Sequence, residues 1–95
     1  VVSYASLYDT IYDDLKSGRI SEVRQTVIQR GLDCRVVLKE LFNRMLRDKD
    51  IRGMDKDNLL WLFAETDYRL AMGCDGEIQL AWFAFSFFRT IKKGR

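Results

Sequence analysis

A chain of 95 residues has room for one domain and little for a second, and 47% hydrophobic residues is enough to bury a core. Sixteen Lys and Arg against fourteen Asp and Glu leave a formal charge of +2, too mild for a basic nucleic-acid arm or an acidic tail. There is no His, and Cys34 and Cys74 belong to no CxxC, which argues against a Ser/His or Cys/His nucleophile pair and against the usual zinc sites.

Tyr4, Leu7, Tyr8, Ile11, Tyr12 and Leu15 recur at the spacing of one helical face, and Ser17-Gly18 stops that helix. Asp9, Asp13 and Asp14 lie on or beside its other face and read as a solvated acidic surface. Ser21 is the expected cap of a short second helix carrying Val23, Val27 and Ile28 and ending at Gly31. Asp33 is the expected cap of a third, with Leu32 and Val37 placed for a hydrophobic staple. Val37, Leu38, Leu41, Phe42 and Met45 make its apolar face, and Glu40 and Arg44 form an i,i+4 pair.

Arg47-Asp48-Lys49-Asp50-Ile51-Arg52-Gly53 is a charged loop whose acids cancel most of the field of its bases, so solvation is its expected role. Asp55 or Asp57 is expected to cap a fourth helix with Leu59, Leu62, Phe63, Thr66 and Leu70 on one face. Leu60 and Trp61 fall off that stripe, so this helix is apolar on more than one side. Glu65 and Arg69 are again i,i+4 and read as a surface pair or a contact between subunits.

The most informative stretch runs from Asp67 to Phe88. Gly73 suits a left-handed helix-closing residue, Asp75 suits an N-cap, and Glu77 places negative charge in the first turn of a fifth helix. That helix carries two apolar stripes. Leu80, Phe83, Ala84, Phe87 and Ile91 keep their period to its end and are assigned to the core. Ile78, Ala81, Trp82, Phe85 and Phe88 form a second stripe that runs into Arg89 and Lys92. A helix that is apolar all round must be buried all round, by central placement or by a partner; the run of the second stripe into Arg89 and Lys92, as at a surface bordering solvent, assigns Ile78, Trp82, Phe85 and Phe88 to a neighbouring subunit, with central placement as the alternative. The tail Lys92-Lys93-Gly94-Arg95 complements the helix dipole.

Asp67-Tyr68-Arg69-Leu70, then Gly73, then Glu77-Ile78-Gln79-Leu80 resembles the C-terminal collar of the small subunit of clamp loaders of the replication factor C type. Val27-Ile28-Gln29-Arg30-Gly31-Leu32 and Val36-Val37-Leu38-Lys39-Glu40 resemble the collar's middle helices, so the resemblance spans about residues 15–88. Cys74-Asp75 stands where a small residue followed by Asn is more usual, and the last helix is richer in aromatics than the family's Leu/Ala-rich pattern.

The expected fold is all-α, a single five-helix bundle of the collar type over residues 1–95, with breaks near Ser17-Gly18, Gly31-Leu32, Lys49-Gly53 and Gly73-Asp75. The resemblance implies a fragment of a longer AAA+ subunit, cut from its parent before Val1. Five collars would pack into a closed ring, with other clamp loader subunits as direct partners. ATP and Mg would belong to the upstream modules, which open a sliding clamp and close it around primer–template DNA. No cofactor, metal or membrane partner is expected for this domain. Its setting would be intracellular, nuclear in a eukaryote or cytoplasmic in an archaeon. No G-x-x-x-x-G-K-[ST] is present, and the scattered carboxylates have no environment to tune them, so the domain itself reads as non-enzymatic.

A second reading takes residues 21–47 as a helix-turn-helix, with Arg35, Lys39, Asn43, Arg44 and Arg47 on the recognition helix beside Glu40 and Asp48. A third makes the aromatic stripe an adaptor surface for a peptide helix. Both cysteines are expected as free, mostly buried thiols.

Overall fold

Five helices follow one another in the computed structural model, which describes residues 4–93: α1 Tyr4–Ser17, α2 Ile20–Gln29, α3 Cys34–Arg47, α4 Met54–Ala71 and α5 Gly76–Lys93. Gly94 and Arg95, the end of the expected basic tail, lie outside the described residues. Every break falls where the sequence places one.

Three of the four corners share one hydrogen-bond pattern. Arg19 N–H donates to Asp14 O, Leu32 N–H to Val27 O and Cys74 N–H to Arg69 O, each paired with a bond from the preceding Gly N–H to a carbonyl three residues back. This closure satisfies the carbonyls a helix end leaves free. It requires a left-handed residue, and Gly73 supplies one at φ 90°.

The helix starts divide. Asp33 caps α3, its carboxylate accepting from Arg35 N–H at 2.9 Å and Val36 N–H at 3.1 Å. Asp75 caps α5, accepting from Ile78 N–H at 3.0 Å. The expected caps of α2 and α4 are displaced. α2 begins at Ile20 with Arg19 as an N-cap whose side chain makes no capping bond, so Ser21 lies inside the first turn. α4 begins after Gly53, and Asp55 and Asp57 sit within its first turn, where they oppose the helix dipole's positive end. In both cases a tight corner sets the start before a capping side chain can.

α4 and α5 form a helical hairpin and are the most extensively packed pair. α5 also packs on α1, α2 and α3, so it touches every other helix. α1 lies against α2, α3 and α5, and α3 against α1, α4 and α5. The result is a slab of 34 × 33 × 20 Å, about two helix diameters thick.

The core stripe of α5 is as assigned: Leu80, Phe83, Ala84, Phe87 and Ile91 are all buried. Its two phenylalanines belong to a chain of rings that crosses the domain. Phe42 of α3 meets Phe63 of α4 edge-on at 5.4 Å, Phe63 meets Phe83 at 4.8 Å and Phe87 at 6.2 Å, and Phe87 meets Tyr12 of α1 at 6.1 Å. Edge-to-face pairs at these separations add to the area they bury. Thr66, fully buried on α4, spends its hydroxyl on Leu62 O at 2.8 Å. Tyr4 and Ile28, expected on the inner faces of α1 and α2, are exposed.

The α3–α4 loop is not the solvated segment its charges imply. Ile51 is buried. Asp48 is turned inward, taking Tyr12 Oη–H at 2.7 Å and Lys16 Nζ at 2.6 Å. One buried side chain and one shielded carboxylate pin the loop to α1.

Candidate functional site

The site is built outward from the start of α5. Gly76 lies against the Cys34 thiol: a Cβ at position 76 would stand 2.7 Å from Sγ. Only glycine lets the first turn of α5 approach the start of α3 so closely. Glu77, one residue on, forms an ion pair with Arg24 of α2. These contacts fix the rotation of α5, and with it the direction its second stripe faces.

That stripe divides in two. Ile78 and Phe85 are open to solvent, 66% and 52% exposed. They lie i,i+7 and share one line along the helix. Trp82 is half-buried against the core, with the Arg69 guanidinium 4.6 Å above its ring and Arg69 held in turn by Glu65 at 3.0 Å. Phe88 is also half-buried. Its ring lies on Gly18, where a Cβ would stand 2.8 Å from it, and Lys92 covers it at 5.4 Å. Arg89 lies 6.0 Å from the Phe85 ring. The central placement of α5 and the exposure of its outer line therefore coexist. Trp82 and Phe88 are seams to α4 and to the α1–α2 corner, while Ile78 and Phe85 form a free ridge.

The structure holds a second apolar surface that the helical periodicity does not predict. α3 and α4 diverge to leave a groove of about 730 Å³. Val36, Leu38, Phe42, Leu60, Phe63 and Ala64 make its apolar lining, and Arg35, Lys39, Glu40 and Asp67 its charged edge. Arg35 and Asp67 bridge the two helices across it at 3.2 Å. Farther round α4, Trp61 and Tyr68 are 67% and 61% exposed. The signal available is the position of Leu60 and Trp61 off the inner stripe of α4; Ala64 and Tyr68 extend the same face by one and two turns.

Two of the four cations on the would-be recognition helix are paired within the fold. Arg44 binds Asp9 at 2.8 Å, Glu40 at 2.9 Å and Ala5 O at 3.1 Å, and Arg35 is paired with Asp67. α2 packs on α1 and α5, whereas a helix-turn-helix requires its two helices to brace one another. Residues 21–47 therefore lack the packed helix pair of a helix-turn-helix.

The thiols also part company. Cys34 is half-buried, and burial first, then Asp33, Asp75 and Glu77, raise its pKa. Cys74 is exposed on the corner, contrary to expectation. Among the described residues, no cluster of three or more His, Cys, Asp or Glu is placed to hold a metal. No described helix is long and apolar enough to cross a membrane.

The family described as the replication factor C C-terminal domain matches residues 5–86, which include all of α2, α3 and α4 and most of α1 and α5. The chain belongs to this family. Searches of curated proteins and of solved structures gave no match. Within the family match lie the α4–α5 corner, the Ile78–Phe85 ridge and the α3–α4 groove. Membership assigns the chain to the replication factor C class of clamp loader proteins.

Proposed function

We propose that this chain is the oligomerisation domain of a DNA replication clamp loader subunit. In this reading the 95-residue chain is the collar of a longer AAA+ protein, and five collars pack into a ring. The ring keeps the ATPase modules together as ATP and Mg act in them, while the assembly opens a sliding clamp and closes it around primer–template DNA. The collar itself holds no nucleotide and performs no chemistry; its direct partners are other clamp loader subunits, and its setting is that of replication, not a membrane.

The observation that carries the reading is the ridge. α5 is the central helix of the domain, yet it leaves Ile78 and Phe85 open to solvent on one line. An apolar line on the best-packed helix contributes nothing to the fold of a monomer, and exposed apolar patches of this kind mark interaction surfaces. Buried aromatics often dominate such contacts.

The test is sedimentation of the complex formed by the full-length subunit, wild type against Phe85→Ala and Ile78→Ser. Weakened assembly, with the helical content of the variants unchanged, is the expected result. Assembly indifferent to both substitutions would remove the basis of this reading.

A further inference from the structure

We infer that the α3–α4 groove is a docking site for an acidic amphipathic helix of another protein, not of a second copy of this chain. The inference is independent of the collar reading, which uses the α5 ridge and leaves this groove without an occupant.

The floor of the groove is fixed before anything binds. Phe63 is buried and meets Phe42, Phe83 and Phe87 edge-on. The trough is thus part of the core's own packing, and an occupant has little of the floor to order. Its rims are open, with Val36 of α3 49% and Leu60 of α4 36% exposed. The two walls run antiparallel, since Arg35 meets Asp67 at one end and Lys56 meets Leu46 O at the other. A trough of about 730 Å³ between two helices accepts the apolar face of a third, with anchors at i, i+3 or i+4 and i+7.

The charges along the groove decide what kind of helix fits. Arg35 and Asp67 neutralise one another across it at 3.2 Å. Glu40 is turned to Arg44 at 2.9 Å. Lys39 is left over. Among the described residues it has no carboxylate partner, and its ammonium lies 5.7 Å from the Phe42 ring. At the far end Lys56 is flanked by Asp55 and Asp57, so the uncompensated charge beside the phenylalanines is that of Lys39. An apolar helix seated on Phe42 and Phe63 therefore meets one unpaired cation, and an acidic residue one turn from its anchors answers it. Opposite charge at such a rim selects the partner more than it strengthens the contact.

The α5 ridge of a second copy has the wrong sign for this seat. Beyond Glu77 the charges of α5 are Arg89, Lys92 and Lys93, all basic. The groove and the ridge thus take different partners.

Two labelled synthetic peptides with the same leucine stripe test this, one flanked by Glu and the other by Lys, with binding to the chain read by fluorescence anisotropy. At low ionic strength the Glu peptide should bind about fivefold more tightly than the Lys peptide, and added salt should narrow the gap. Lys39→Glu should reverse the order; Lys39 is exposed, so the substitution leaves the core alone. Leu60→Asn, on the open rim, should weaken both peptides about tenfold, because the amide is buried without a partner.

No binding of either peptide, or an order that Lys39→Glu does not reverse, would overturn the proposal. Binding that responds to Phe85→Ala and not to Leu60→Asn would place the helix on the ridge and overturn it as well. Sedimentation of the full-length complex keeps the collar reading separate. Loss of assembly with Lys39→Glu would make the groove a subunit contact, refuting this proposal while the collar reading stands.

Discussion

The Tyr12 hydroxyl donates to Asp48 Oδ2 at 2.7 Å, joining two residues thirty-six positions apart, and Lys16 Nζ meets the same carboxylate at 2.6 Å. Burial opposes ionisation of Asp48, but the bonds from Lys16, Tyr12 and Asp50 N–H outweigh it and hold its pKa below the ordinary 3.8. A depressed carboxylate stabilises the fold above its unfolded pKa, and this contribution is lost as pH falls through the folded value. The advantage of wild type over Asp48→Asn should therefore be full near neutrality, about 1–3 kcal/mol for charge-assisted bonds to a shielded group. It should shrink below pH 4, as chemical denaturation across that range will read. A difference that grows on acidification would contradict the assignment.

Phe83 and Phe85 are two residues apart and face opposite ways. Phe83→Ala should cost about 3–5 kcal/mol, because it empties the middle of the ring chain; so small a domain has little stability to lose. Phe85→Ala should leave the melting temperature of the chain nearly unchanged. Trp82→Ala should fall between them, since half of the indole is packed and Arg69 loses its ring. Thermal melts followed by circular dichroism will order the three.

Gly73 and Gly18 both have positive φ, but their surroundings differ. Nothing lies within 4 Å of a Cβ built on Gly73, whereas the Phe88 ring lies within 3 Å of one on Gly18. Gly73→Val should thus cost backbone strain alone, more than about 1 kcal/mol. Gly18→Ala should cost strain plus displacement of Phe88, and should be the more damaging despite the smaller side chain. Equal losses in denaturant titrations would show that Phe88 moves aside freely.

The two thiols should react in two phases. Cys74, exposed, should be consumed first by a thiol reagent at neutral pH. Cys34, half-buried and surrounded by acids that raise its pKa, should follow much more slowly and accelerate as pH rises, because the thiolate is the reacting form. Mass mapping of partially labelled protein will assign the phases.

The helices and their corners were legible because glycine and periodicity are local signals. Gly18, Gly31 and Gly73 mark helix ends whatever the tertiary fold, and the inner stripe of α5 needs only its own spacing to be recognised. Ser21 misled because a good capping residue has no effect once the Gly18 corner starts α2 ahead of it. Asp48 was read as solvated because its partners, Tyr12 and Lys16, lie on another helix. The ridge was half legible: Ile78 and Phe85 are open as expected, but Trp82 and Phe88 have partners within the domain, Arg69 and Gly18, that periodicity cannot supply. The groove was not legible, since it exists only in the space between α3 and α4.

The centre of the slab is filled by the helix that is synthesised last of the five. Until the eighteen residues of α5 leave the ribosome, α1 and α2 lack the surface they share with it, and Phe63 of α4 has neither Phe83 nor Phe87 to meet. A chain that ends before α5 therefore has four helices around an unfilled middle. A stalled or truncated product lacking α5 would expose the whole aromatic interior, making it a client for chaperones and proteases. Only chains with α5 in place both close the core and present the Ile78–Phe85 ridge.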